Sequence, residues 1–286
     1  MIEYLVYDVF TDTPFGGNQL AVFPDARNIP ETDLQNIAFE FNFSEVTFVY
    51  PPKDPHHSAR VRIFTPTSEI GFAGHPIIGT VIALGALGYP APMVLELGVG
   101  PIACTLETGR AAFTTHVPLK ILGHPKTELV ANCLGLKPCD IETARHGPVQ
   151  LTLGLPFVCV ELTNSAALSN CAPQLNFIKE GAVLHPSGGD FALFVYVRAG
   201  QNMTSRMFAP LDNISEDPAT GSASATLAAY LTGLEEEPQV FEYTQGEDMG
   251  RRSKITAKTT FDPPSVTITG QAVKIMQGDF ILRERR

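Results

Sequence analysis

The sequence predicts an α+β protein made of two like halves. The first observation is an internal repeat. Arg-x-Phe-x-Pro occurs at Arg62 and again at Arg206, and each copy runs through a polar loop carrying a carboxylate to a glycine, Gly74 or Gly221. Each glycine then opens an apolar, small-residue helix, and the second loop is three residues longer. The second observation is size: 286 residues exceed the usual single domain and suit two of about 140. The third is composition. Apolar residues make up 44% and charged ones 17%, ample for two cores.

In chain order, IEYLVYDV (2–9) is β-branched and aromatic and reads as a strand. A Gly16, Gly17, Asn18 turn leads to a second strand, Leu20 to Phe23; so glycine-rich a turn allows positive φ and close backbone approach, although hairpin geometry alone explains it. Thr32 and Gln35 have capping-box spacing, and Leu34, Ile37, Ala38 and Phe41 share one helical face, so a helix ends near Asn42. The next strand opens with Ser44 and Glu45. Glu45 lies among Phe43, Val46 and Phe48 with no nearby cation, a setting that disfavours the charged carboxylate and moves its pKa toward values useful for proton transfer. A solvent-held glutamate at a strand entrance is the alternative. His56 and His57 sit in a proline-rich turn, and two adjacent histidines with no further ligands do not make a metal site.

Arg60 to Phe64 is another strand, followed by GFAGHPIIGT. Pro76 suits a first helical turn, which puts His75 at a helix N-terminus where backbone donors favour anions; a simple cap is the other reading. From Ile70 to Leu95 there is no Lys, Arg, Asp or Glu. Prolines and glycines interrupt that run, which favours a buried helix over a membrane span. Strands near Val94 to Leu97, Ile102 to Leu106 and Ala111 to His116 follow, and PLKILGHPKTE reads as the link between halves, giving 1–117 and 118–278 with a last strand, 279–286, returned to the first.

The second half has a helix at Glu128 to Leu134, a glycine turn and strand within Val149 to Leu162, a helix or loop at 174–184 and a strand at Phe191 to Arg198. Pro218 makes Asp217 extended, and Ser222 begins the second helix, whose N–H groups are suited to a carboxylate. An ordinary first-turn serine is the alternative. Glu235 to Glu237 read as a solvated linker, before strands near Val240 to Tyr243, Ser253 to Lys258, Ser265 to Gly270, Ala272 to Met276 and Phe280 to Leu282.

A net charge of −10 argues against nucleic-acid or anionic-membrane partners. Five cysteines without CxxC spacing suggest neither disulfides nor zinc and fit a reducing, cytoplasmic setting; the N-terminus lacks a signal-peptide pattern. No nucleotide or metal motif occurs, so no cofactor is expected. If the two helix N-termini converge on one cleft, it suits a small carboxylate, with Glu45, His75, Asp217 and Ser222 as its polar side chains.

GNQLAVF, FSEVTFV, FTP, GFAGHPIIGT and EDPATGSASA, in this order across almost the whole chain, resemble the PhzF-like phenazine-biosynthesis protein family of the diaminopimelate-epimerase-like fold. The resemblance implies two pseudo-symmetric domains, each a mixed, barrel-like sheet around a central helix, and a homodimer. It implies isomerisation of trans-2,3-dihydro-3-hydroxyanthranilate. By motif, Glu45 is then the acid/base, His75 and Asp217 orient and bind substrate, Gly74, Gly221 and Ser222 meet its carboxylate, and Ser44 is a further substrate-binding residue. Epimerases and racemases of this fold carry a cysteine before each glycine; Ala73 and Thr220 stand there, which excludes a two-cysteine mechanism. Gly71 stands where the family commonly has proline and is expected to loosen the His75 loop. Two other readings remain: a non-catalytic binder of small carboxylates, and a hydrolase using Ser222, His75 and Asp217, which lacks a GxSxG elbow.

Overall fold

The computed structural model describes residues 1–187 and 191–281. The chain divides into two compact units, Met1–Thr115 with the stretch from Ile268 onward, and His116–Thr267. Leu282 and the rest of the terminal strand expected at 279–286 lie outside the described residues, apart from its first three positions.

The first unit has strands β1 (Ile2–Val9), β2 (Asn18–Phe23), β3 (Glu45–Tyr50), β4 (Ala59–Phe64), β5 (Glu69–Ile70), β6 (Met93–Leu97), β7 (Gly100–Glu107) and β8 (Arg110–Thr115). Its helices are α1 (Glu31–Phe41) and α2 (Gly74–Ala86). The pairings run β1–β2–β3–β4–β6–β7–β8, antiparallel except for β2 with β3 and β4 with β6, where a helix makes the crossover. The last strand of the chain, Ser265–Phe280, pairs with both β1 and β8. That closes an eight-stranded barrel.

Helix α2 contacts β1, β2, β3, β7 and β8 from within, and ten of its residues are buried, His75 among them. A helix surrounded by sheet must be apolar on every side, which explains the uncharged run. Among the described residues no helix is long and apolar enough to cross a membrane. Helix α1 packs against β3 and β4 from outside, where Leu34, Ile37 and Ala38 meet Ala21, Phe23, Val46 and Phe48. Strands β2 and β3 are therefore covered on both faces, and NQLAVF reads as a nearly continuous apolar run for that reason. Pro30, not Thr32, holds the N-cap of α1, with no side-chain cap; Asn42 ends it in the left-handed region. The capping-box expectation fails because the helix begins before Thr32.

The second unit repeats this plan, with β9 (Lys120–Gly123), β10 (Val149–Thr152), β11 (Pro156–Glu161), β12 (Leu193–Ala199), β13 (Asn202–Ala209), β14 (Ile214–Asp217), β15 (Val240–Gln245) and β16 (Ser253–Thr260). Its helices are α3 (Thr127–Leu134), α4 (Ser165–Ser169), α5 (Leu175–Leu184) and α6 (Gly221–Glu235). Here β11 with β12 and β13 with β15 are the parallel pairs, and α6 crosses between β13 and β15 as α2 does between β4 and β6. Helix α6 contacts β10, β11 and β16, and residues of α3, α4 and α5 pack with Val158, Val160, Leu193, Val195 and Phe208.

Three further sequence expectations change. The stretch read as a linker contains β9, which pairs with β10. The run at Glu235 is not simply solvated: α6 extends to it, and Glu235 accepts from Arg198 at 2.6 Å and Arg145 at 3.3 Å. The strands read on either side of Gly270 are one 16-residue strand, β17 (Ser265–Phe280), because Gly270 gives room to the Phe10 ring rather than a turn.

The Arg-x-Phe repeat is structural. Arg62 makes a two-pronged pair with Glu69 at 2.7 Å on each prong and lies over the Phe64 ring; Arg206 does the same with Glu216 at 2.8 Å, over Phe208. These planar pairs tie β4 to β5 and β13 to β14, aiming each loop at its helix. A second shared feature follows β6 and β15. A Cβ on Gly98 would lie 2.7 Å from Gly71 Cα, and one on Gly246 would lie 2.8 Å from Pro218 O. Gly71 is also held by the Val99 N–H, which donates to its carbonyl at 3.3 Å. The loop before His75 is thus braced by backbone contact at the position expected to loosen it.

Candidate active site

In the first unit, Gly17 has φ +63°, and a Cβ there would meet Val9 O at 2.3 Å. Only glycine fits this turn, which delivers Asn18 as the first residue of β2. Strand β3 runs parallel to β2 in the register Leu20 to Glu45, so Ser44 and Glu45 arrive beside Asn18. Ala73 precedes α2 in extended conformation without a side-chain cap, and Gly74, His75 and Pro76 form its first turn, all buried. The sequence therefore brings four of the expected residues together, Ser44, Glu45, Gly74 and His75, with Asn18 beside them.

His75 Nδ1 lies 3.3 Å from Glu45 Oε2 and 3.4 Å from Asn18 Nδ2, and the Ser44 hydroxyl donates to Asn18 Oδ1 at 3.4 Å. The His75 side chain is 4% exposed and that of Glu45 13%. Burial pushes the His75 pKa down to about 3, with the Gln19 backbone offsetting part of it. The positive end of α2 acts in the same direction. His75 is therefore neutral at ordinary pH. Its Nδ1, when bare, can accept from the Asn18 amide, and Glu45 Oε2 lies 3.3 Å from the same atom. A carboxyl beside a neutral ring can gain or lose a proton without an imidazolium forming, a property that suits a general acid/base.

In the second unit, Asp217 ends β14 and Thr220 precedes α6. The Thr220 hydroxyl donates to Asp217 Oδ2 at 2.5 Å. Gln245, at the end of β15, donates through Nε2 to Asp217 O at 2.7 Å and to Thr220 Oγ1 at 3.0 Å, and its Oε1 accepts from the Thr220 N–H at 3.2 Å. The Ser253 hydroxyl holds Pro218 O at 2.7 Å. Gly221 and Ser222 open α6, Gly221 buried and Ser222 partly exposed. Asp217, Gly221 and Ser222 thus form one local group.

Sequence reading named Asn18 only as a turn residue, Thr220 only as a missing cysteine, and Gln245 not at all. The available signal was the second glycine of the repeat: aligning Gly98 with Gly246 sets Leu97 opposite Gln245.

The first unit is thus a closed barrel around a buried helix, with a carboxyl and a buried histidine meeting at that helix's N-terminus. The chain belongs to the phenazine biosynthesis-like protein family, PhzC-PhzF, whose model matches residues 7–278. The trans-2,3-dihydro-3-hydroxyanthranilate isomerase of Pseudomonas fluorescens is 35% identical, covering 99% of this chain and 100% of its own. That of Pseudomonas aeruginosa is 37% identical over 90% of each. Among solved structures, a PhzF-family phenazine biosynthesis protein from Bacillus anthracis superposes with a TM-score of 0.86 at 23% identity, covering 98% of this chain and 99% of that one. A probable proline racemase from Agrobacterium radiobacter K84 shares the fold, with a TM-score of 0.64 at 15% identity over 99% and 94% of the chains. The protein is an isomerase of this family.

Proposed function

We propose that the protein moves a proton between carbons of a small cyclic amino or hydroxy carboxylate, with trans-2,3-dihydro-3-hydroxyanthranilate, the substrate named for its Pseudomonas relatives, as the leading candidate. Glu45 is the acid/base, His75 and Asp217 orient the substrate, and Gly74, Gly221 and Ser222 meet its carboxylate with Ser44 beside them. The observation that carries this reading is the nearly buried Glu45 carboxyl 3.3 Å from the Nδ1 of a neutral His75. Carboxyl chemistry of this kind needs no cofactor, and we include a cytoplasmic homodimer in the proposal.

Glu45→Gln preserves shape and removes the titrating group. Incubated with this substrate in deuterated water, the variant is expected to bind at near wild-type affinity while label incorporation at carbon and turnover fall by about a hundredfold or more. Wild-type exchange in the variant would remove Glu45 from the chemistry. A wild-type protein that binds substrate tightly yet yields neither product nor exchange would instead be a carboxylate binder.

A further inference from the structure

Among the matched places where the two units differ, three bear on the loop that enters the central helix. The first has Ile70, Ala73 and Leu97 where the second has Asp217, Thr220 and Gln245. Glu69 and Glu216, the partners of the repeated arginines, fix the first match, and Gly74 and Gly221 fix the second. The third follows from strand register. Ser205 pairs with Gln245 just before Arg206, and one step beyond the Arg60 to Glu96 pair brings Val61 to Leu97 just before Arg62. Gly98 and Gly246 come next and close on matched loop positions, Gly71 and Pro218. The matched positions of the first unit are all apolar, so the fold does not demand a polar trio. The second unit has exchanged all three residues together.

We infer that Gln245 is a positioning residue for the reaction: it orients the Thr220 hydroxyl and so sets the Asp217 carboxylate for substrate. Gln245 is 1% exposed, and both ends of its amide are used. Its Nε2 occupies the Thr220 oxygen as an acceptor, which leaves the hydroxyl hydrogen to point at Asp217 Oδ2. Its other two bonds hold the Asp217 carbonyl and the Thr220 N–H, so the loop entering α6 keeps one shape. Hydrogen bonds in such a chain reinforce one another, and removing the first donor frees the hydroxyl to turn away. Gln245 touches Asp217 and Thr220 and acts through them.

This inference rests on the proposed role of Asp217 in holding substrate, and the experiment separates the two. Gln245→Leu installs the residue found at the matched place in the first unit; Gln245→Glu keeps the shape and the acceptor but removes both donated bonds when ionised. KM and kcat are measured for trans-2,3-dihydro-3-hydroxyanthranilate with wild type, both variants, Asp217→Asn and the Gln245→Leu/Asp217→Asn double variant, beside urea unfolding of each. The expected result is a KM raised by about tenfold or more in both Gln245 variants, with kcat changed by less than about threefold. In the double variant, Gln245→Leu adds less than about twofold to the KM of Asp217→Asn. Should Gln245→Leu fail to fold, Gln245→Glu carries the same test. Wild-type KM in the Gln245 variants alongside an impaired Asp217→Asn overturns the inference and leaves the functional reading standing, as does a full additive effect in the double variant, which marks a general structural role. Wild-type kinetics in Asp217→Asn overturns both.

Discussion

Burial of His75 makes stability depend on pH in a way that can be isolated. Its folded pKa is near 3 and its unfolded value near 6.5. Between these, the unfolded chain binds a proton that the folded chain refuses, so stability falls as pH is lowered through that window and is restored above about 6.5. Working the linkage through gives a loss of about 1 kcal/mol at pH 6 and about 2 kcal/mol at pH 5, relative to pH 8. Other groups titrate over the same range, so wild type is compared with His75→Asn, which removes the ring but keeps a polar side chain. Urea unfolding of both at pH 5, 6, 7 and 8 gives the difference curve. The wild type is expected to lose about 2 kcal/mol more than the variant between pH 8 and pH 5. A flat difference would refute the reasoning. It would mean that His75 takes up a proton in the folded state, sharing it with an ionised Glu45 as an ion pair, and the histidine would then be a charged partner in catalysis.

Four further substitutions test the scaffold. Gly98→Ala puts a Cβ 2.7 Å from Gly71 Cα, and Gly246→Ala puts one 2.5 Å from Arg251 O at φ +76°, so both are expected to destabilise by about 1–3 kcal/mol in urea, Gly246→Ala more because of its backbone conformation. Arg206→Ala is expected to cost about 2–3 kcal/mol and Arg62→Ala about 1 kcal/mol. The difference arises because Arg206 also donates to the carbonyls of Leu168, Ser169 and Cys171, whereas the acid partners of Arg62 are largely exposed; equal losses in denaturation would remove this reason for ranking the two clamps.

The legible parts of the sequence were those written twice or written in periodicity. Arg62 and Arg206 announce matched loops because a planar guanidinium needs a carboxylate at fixed distance, and Glu69 and Glu216 supply it. The apolar α2 is legible because a helix inside a barrel has no wet face. Glu45 stands out as a carboxylate in an apolar stretch, and the structure gives it a buried setting. Strand β9 was hidden because its pairing with β10 depends on residues some thirty positions away, while the prolines on either side of it, Pro118 and Pro125, locally resemble a linker. Gln245 was hidden for the same reason. A glutamine at a strand end carries no local mark, and its function lies in contacts with Asp217 and Thr220, which parallel pairing across α6 brings to it.

The repeat also bears on what kind of proton transfer the proposed reading allows. Inverting a carbon centre calls for two acid/base groups, one for each face, and a duplicated fold supplies them most simply from equivalent positions. In this chain the equivalents have diverged. The residues before the helix glycines are Ala73 and Thr220, and neither is a carbon base. Glu45, one residue before the Val46 that pairs with Phe64, is matched in the second unit by Ala192, one residue before the Leu193 that pairs with Phe208. His75 is matched by Ser222 in the first turn of α6. In the proposed reading the first unit carries the groups that hold and release a proton, whereas the second carries a carboxylate, Asp217, whose side chain accepts from Thr220 and whose backbone carbonyl accepts from Gln245. Duplication provided two identical mounts, and their divergence favours a single base that takes a proton from one carbon and returns it to another over a pair of bases that invert one carbon.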